Sequence, residues 1–120
     1  MKVRLTRDFT FEAAHHLPRA PEGHKCRRLH GHSFRVEITV EGDVDPATGW
    51  FLDYGVMRDA VEPLRQRLDH YLLNDIEGLG NPTSEELCRW IWERLRPKLP
   101  SLARVVVHET CEARCEYEGR

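Results

Sequence analysis

The sequence predicts an α+β fold: a four-stranded antiparallel sheet with two helices on one face, in the order β-β-α-α-β-β. Three observations predict it. Two long stretches near the start alternate apolar and polar residues, the period of a half-buried strand. Two stretches in the middle repeat apolar residues at helical spacing. Strands and helices do not alternate along the chain, which argues against parallel crossover units and for an antiparallel sheet.

The first stretch, "KVRLTRDFTFEAAHH", places Val3, Leu5, Phe9 and Phe11 on one side, with Arg4 and Thr10 opposite. Continued past Phe11, the same parity keeps Ala13 and His15 on the apolar side and turns His16 away. The second, "HSFRVEITVEG", sets Phe34, Val36, Ile38 and Val40 against Arg35, Glu37, Thr39 and Glu41. His30 and His32 share the parity of its apolar set. "GDVDPATGW" is a turn-rich loop. Met57, Ala60, Val61, Leu64 and Leu68 then follow helical spacing around Pro63, which predicts a kink or a displaced start. "TSEE" at 83–86 is a capping box, with Thr83 as N-cap and Glu86 reaching back. The helix it opens runs to about Leu95 and buries Leu87, Ile91 and Leu95. "ARVVVHET" is a strand with Val105, Val107 and Glu109 on one face, and "CEYEG" is a short closing strand.

The chain has 120 residues, which predicts one domain over 1–120 with a real core. Its 40% apolar and 32% charged residues, with a net charge of −2, fit an ordinary globular protein. That balance argues against nonspecific nucleic-acid binding, which needs a positive field. No apolar run reaches the length of a membrane span, and the first residues lack a signal peptide's apolar core. A cytoplasmic protein with free thiols at Cys26, Cys88, Cys111 and Cys115 is expected. "CEARC" at 111–115 reads as strand or turn cysteines.

The residues suited to chemistry gather in "GHKCRRLHGH", residues 23–32. His30 and His32 on one strand face set two imidazoles side by side. His15, at the end of the facing strand, has the parity of a third, with His16 as the alternative. Three imidazoles with an open position suit catalytic zinc. His24 reads as a solvated residue. Cys26 has two readings: a fourth ligand closing a structural site, or an unbound thiolate beside the metal, favoured by Lys25, Arg27 and Arg28. Asp69 beside His70 permits a carboxylate to orient an imidazole where the chain turns, or marks a helix-ending histidine. Glu109 on an apolar-parity face needs a donor, either an arginine or a ligand edge with two adjacent N–H groups.

"FTFEAAHHL", "GHKCRRLHGHSF", "LDH", "NPTSEEL" and "HETC" occur in this order across most of the chain. Together they resemble the 6-pyruvoyltetrahydropterin synthase family, and within it the queuosine-pathway branch that makes 6-carboxy-5,6,7,8-tetrahydropterin. The resemblance implies the T-fold (tunnelling fold), with subunits joined as a homo-hexamer and active sites between subunits. It implies Zn2+ held by His15, His30 and His32, and Cys26 as catalytic base. Asp69 and His70 would assist proton transfer. Glu109 would hold the pterin's amino-pyrimidine edge, with Thr83 and Ser84 in the pterin-contacting segment. The implied substrate is 7,8-dihydroneopterin triphosphate, and Lys25, Arg27 and Arg28 suit its polyphosphate. The pyruvoyl product is the nearest alternative activity, and a non-catalytic zinc-folded binding module is the alternative of another class. One position departs from the branch: His16 stands where arginine is frequent.

Overall fold

The computed structural model describes residues 1–120. Strands β1 (Lys2–His15) and β2 (His30–Asp43) form a long antiparallel hairpin. Helix α1 (Tyr54–Leu68), the two-residue strand β3 (Tyr71–Leu72) and helix α2 (Ser84–Leu95) follow. Strands β4 (Leu102–His108) and β5 (Arg114–Tyr117) close the chain. The sheet order is β3-β1-β2-β4-β5.

The parity read from the sequence is the parity of burial. Phe9, Phe11, Phe34, Val36 and Ile38 are buried in one cluster with residues of both helices. Helix α1 packs on β1, and α2 packs on β4 and β5, so both helices lie on one face. All five apolar residues predicted for α1 are buried, as are Leu87, Ile91 and Leu95 of α2. Burial of each of these side chains other than Ala60 contributes roughly 1.5–3 kcal/mol.

Three details differ from the expectations. The sheet has a fifth strand, β3, which pairs in parallel with Ala13 and Ala14 of β1. Two residues are too few for an alternation to register in the sequence. Helix α1 starts at Tyr54, capped by Asp53, whose Oδ1 accepts the Gly55 N–H at 2.8 Å, and runs through Pro63 without a displaced start. Pro63 is exposed, while buried residues on both sides of it anchor the helix. The capping box closes on one arm only. Thr83 Oγ1 accepts the Glu86 N–H at 3.1 Å. The Glu86 carboxylate pairs with Arg89 instead of returning to Thr83, whose N–H donates to Asn81 O.

The opposite sheet face is polar and cross-linked between strands. Thr6 and Thr39 hydroxyls meet at 2.8 Å, Arg35 donates to Asp8 at 2.9 Å, and Ser33 donates to Glu12 at 2.6 Å. The buried His108 donates through Nε2 to Glu37 Oε2 at 2.5 Å. That bond, ahead of the opposing cost of burial, holds the Glu37 carboxyl below its usual range. A depressed carboxylate pKa adds stability that is complete above the ordinary carboxylate range and is lost as pH falls through the depressed value. Glu37→Gln is therefore expected to lower stability at neutral pH by about 1 kcal/mol. The gap between variant and parent should narrow as pH falls through that depressed value. Urea denaturation across an acid pH series checks this; a gap that widens in acid would refute it.

Candidate functional site

The hairpin register builds the centre of the site. His15 lies directly opposite His30, and Ala13 lies opposite His32. Strand alternation then turns all three imidazoles to one face. Their rings pack edge to face with centroids 4.6–5.1 Å apart, and one nitrogen of each falls within 4.8 Å of the others. His16 points elsewhere. Its backbone N–H and C=O are both bound by the Asn74 side chain, at 3.0 and 2.8 Å, which steers the chain as it leaves β1.

Carbonyls fix how these rings are protonated. His15 Nδ1 donates to Pro82 O at 2.9 Å, and His30 Nδ1 donates to Arg28 O at 2.8 Å. A carbonyl only accepts, so the free lone pair of each neutral ring sits on Nε2. Burial, the largest influence, lowers the His15 and His32 pKa values, and His30 lowers both further. His15 is completely buried, and its Nε2 has no hydrogen-bond partner. His32 Nε2 lies 3.2 Å from Glu109 Oε1 without hydrogen-bond geometry. Buried nitrogens left open and aimed at one point fit a cation with a preference for imidazole.

Cys26 sits in a short 3-10 turn, Lys25–Arg27. It is half-buried and lines a cavity of about 490 Å³ together with Lys25, Arg28, His30, His32 and Glu109. Its sulfur is not among the converging atoms, which come from the three histidines alone. Glu109 stands just past β4. Ser84, the first residue of α2, donates its hydroxyl to Glu109 Oε2 at 2.8 Å. Thr83 caps the same helix, so the start of α2 delivers Ser84 to the carboxylate. Arg27 does not line the cavity and instead donates to Ala20 O at 2.9 Å, bracing its own loop.

Asp69 and His70 pair where α1 ends, as a turn at that point requires. His70 takes φ 65°, and its Nδ1 donates to Asp69 Oδ2 at 3.0 Å. Left-handed backbone is unfavourable for a residue other than glycine. The His70 N–H to Glu12 O bond, at 2.6 Å, holds it there. The Glu12 N–H donated to Asp69 Oδ1, followed by the His70 bond, keeps the Asp69 carboxyl below its ordinary range. His70 lines a groove with Glu12, Ser33, Tyr71 and His32, a groove that Cys26 does not line.

Sequence reasoning missed the Pro82 and Arg28 carbonyls and the Asn74 clamp. Backbone acceptors carry no side-chain signature, and only the fold brings residue 82 to residue 15. Cys88 and Cys115, read as unremarkable, meet between α2 and β5, where Cys88 Sγ lies 3.4 Å from Cys115 O. Burial pushes both thiols above their ordinary range.

Open imidazoles, a thiol and an oriented carboxylate around one cavity define an enzyme site for a small polar substrate. No helix is long and apolar enough to cross a membrane. The family model for 6-pyruvoyl tetrahydropterin synthase matches residues 4–120. The 6-carboxy-5,6,7,8-tetrahydropterin synthase of Synechocystis is 45% identical, over 94% of this chain and 91% of its own. The dihydroneopterin monophosphate aldolase of Pyrococcus furiosus is 36% identical, over 98% and 99%. The structure of Caenorhabditis elegans 6-pyruvoyl tetrahydropterin synthase superposes with a TM-score of 0.92 at 25% identity, covering 100% of this chain and 97% of that one. The chain belongs to the 6-pyruvoyl tetrahydropterin synthase family and is an enzyme of that type, with its T-fold. The resemblance read from the motifs is borne out, the family by the family model and the branch by the Synechocystis relative.

Proposed function

We propose that this chain is a zinc-dependent 6-carboxy-5,6,7,8-tetrahydropterin synthase of queuosine biosynthesis. It converts 7,8-dihydroneopterin triphosphate to carboxytetrahydropterin, acetaldehyde and triphosphate. The observation that carries this reading is the convergence of His15, His30 and His32 beside Cys26 and Glu109. The likeness to the Synechocystis enzyme favours the carboxy product over the pyruvoyl one. The family removes the non-catalytic binding module, the alternative of another class.

His15, His30 and His32 would hold the metal, and the carbonyls of Pro82 and Arg28 fix two of the rings for it. Bound zinc supplies Lewis acidity that stabilises negative charge developing on the substrate's side-chain oxygens. Cys26, as a thiolate, takes a proton from the substrate's side-chain carbon. Glu109, oriented by Ser84, accepts two N–H bonds from the amino-pyrimidine edge. Thr83 spends a lone pair on its helix cap, which leaves its hydroxyl proton free for the pterin. Lys25 and Arg28 face the cavity and suit the triphosphate, and Arg27 adds charge from outside it.

Asp69 and His70 act as the proton relay, reaching the cavity of a neighbouring copy. A His70 side chain that is 78% exposed, in a groove that Cys26 does not line, supports this. The outer edge of β1 is unpaired before Ala13, and β5 is a free edge strand. Open edges favour strand addition by further copies. A cytoplasmic homo-hexamer, each copy one domain over 1–120, is the assembly we propose.

The test is direct. Zinc-loaded protein is mixed with 7,8-dihydroneopterin triphosphate, and the products are identified by mass. Carboxytetrahydropterin with free triphosphate is expected. A pyruvoyl product would move the chain to the other branch, and no triphosphate release would end the reading. Glu109→Ala should weaken pterin binding at least about tenfold while metal content stays constant. Titration with a non-reacting pterin, read by fluorescence, checks this, and unchanged affinity would count against Glu109 as the anchor.

A further inference from the structure

His24 enters the structure in a role its sequence context did not suggest. It precedes the 3-10 turn that carries Cys26 and has the extended backbone of an N-cap, φ −70° and ψ 137°. Its Nδ1 accepts the Cys26 N–H at 3.0 Å. The Cys26 carbonyl is held on its other side, accepting the Leu17 N–H at 2.7 Å. Both polar groups of the Cys26 backbone are therefore fixed, one by an imidazole and one by the chain leaving β1. The common caps are Asp, Asn, Ser and Thr. An aspartate here would set a negative charge beside the thiol, which opposes thiolate formation. A neutral imidazole supplies the acceptor without that charge.

We propose that His24 is a positioning residue for Cys26, acting through this bond to hold the thiol at the mouth of the histidine cluster. The inference rests on the reading of Cys26 as the reacting group. It predicts that the position of the acceptor atom matters and the imidazole as such does not. Asparagine places its Oδ1 where histidine places Nδ1, whereas glutamine carries the same amide one carbon further out.

The experiment compares His24→Ala, His24→Gln and His24→Asn in the zinc-loaded, full-length protein, with 7,8-dihydroneopterin triphosphate as substrate. Alanine and glutamine are expected to lower kcat roughly tenfold, with KM and metal content unchanged. Asparagine should stay within about twofold of the parent. Amide exchange of the peptide carrying Cys26 should accelerate in the alanine and glutamine variants and remain slow in the asparagine variant. Asparagine performing as poorly as alanine, or alanine turning over like the parent, would overturn the proposal. Cys26→Ala, run in parallel, separates the two ideas. Its full activity would remove the thiol reading, whereas the exchange rates report on the cap whether or not Cys26 reacts.

Discussion

Cys26→Ala is expected to lower turnover about 10²- to 10⁴-fold, the span of a lost general base, while each chain keeps its metal. The expectation rests on where the sulfur lies. It shares a cavity with His30, His32 and Glu109, yet the atoms that converge for a metal come from the histidines alone. Removing it should therefore take away the proposed reacting group without opening the proposed ligand set. The variant should also fold normally, because Cys26 is only half-buried and its backbone bonds to His24 and Leu17 do not involve the sulfur. Elemental analysis and steady-state turnover on one preparation check both halves. Loss of metal would make Cys26 a ligand, and retained turnover would remove it from the chemistry.

His15→Ala is expected to act in the opposite way, losing metal and turnover together. His15 is completely buried at the end of β1, bound to Pro82 O and packed edge-on against Phe34 at 5.7 Å. Loss of a partner behind a ligand costs 10–100-fold in affinity, so loss of the ligand itself should cost more than about 100-fold. The metal-free variant should also be less stable than the metal-free parent. Alanine leaves a cavity and an unpaired carbonyl, together on the order of 2–4 kcal/mol. Metal competition with a chelator and denaturant titration of the metal-free proteins measure the two effects. A variant that holds metal as tightly as the parent would exclude His15 from the ligand set.

These two outcomes separate the residues that the crowded segment 23–32 presents together. His30 and His32 belong with His15, which precedes their strand by fifteen positions in chain order and lies directly across the hairpin from His30 in space. Lys25 and Arg28 face the cavity, whereas Arg27 and His24 serve the loop's own architecture.

Strand and helix periods were legible because burial itself follows them. Phe9 and Phe11, or Met57 and Leu64, can meet the core only at spacings of two or of three to four residues. The same parity put His15, His30 and His32 on one face and turned His16 away. The two-residue β3, the free second arm of the capping box and the uninterrupted start of α1 were not legible. Each is decided by a neighbour distant in the chain: β1 for β3, Arg89 for Glu86, and the sheet beneath α1 for Pro63. By itself the sequence pointed to the residues proposed for the chemistry and determined which side of each strand the three histidines occupy. Register, the Pro82 and Arg28 carbonyls, the cap on Cys26 and the pairing of Asp69 with His70 at the end of α1 were decided by the tertiary structure. Those contacts use backbone atoms and long-range pairings, which every residue type shares and no side-chain pattern records.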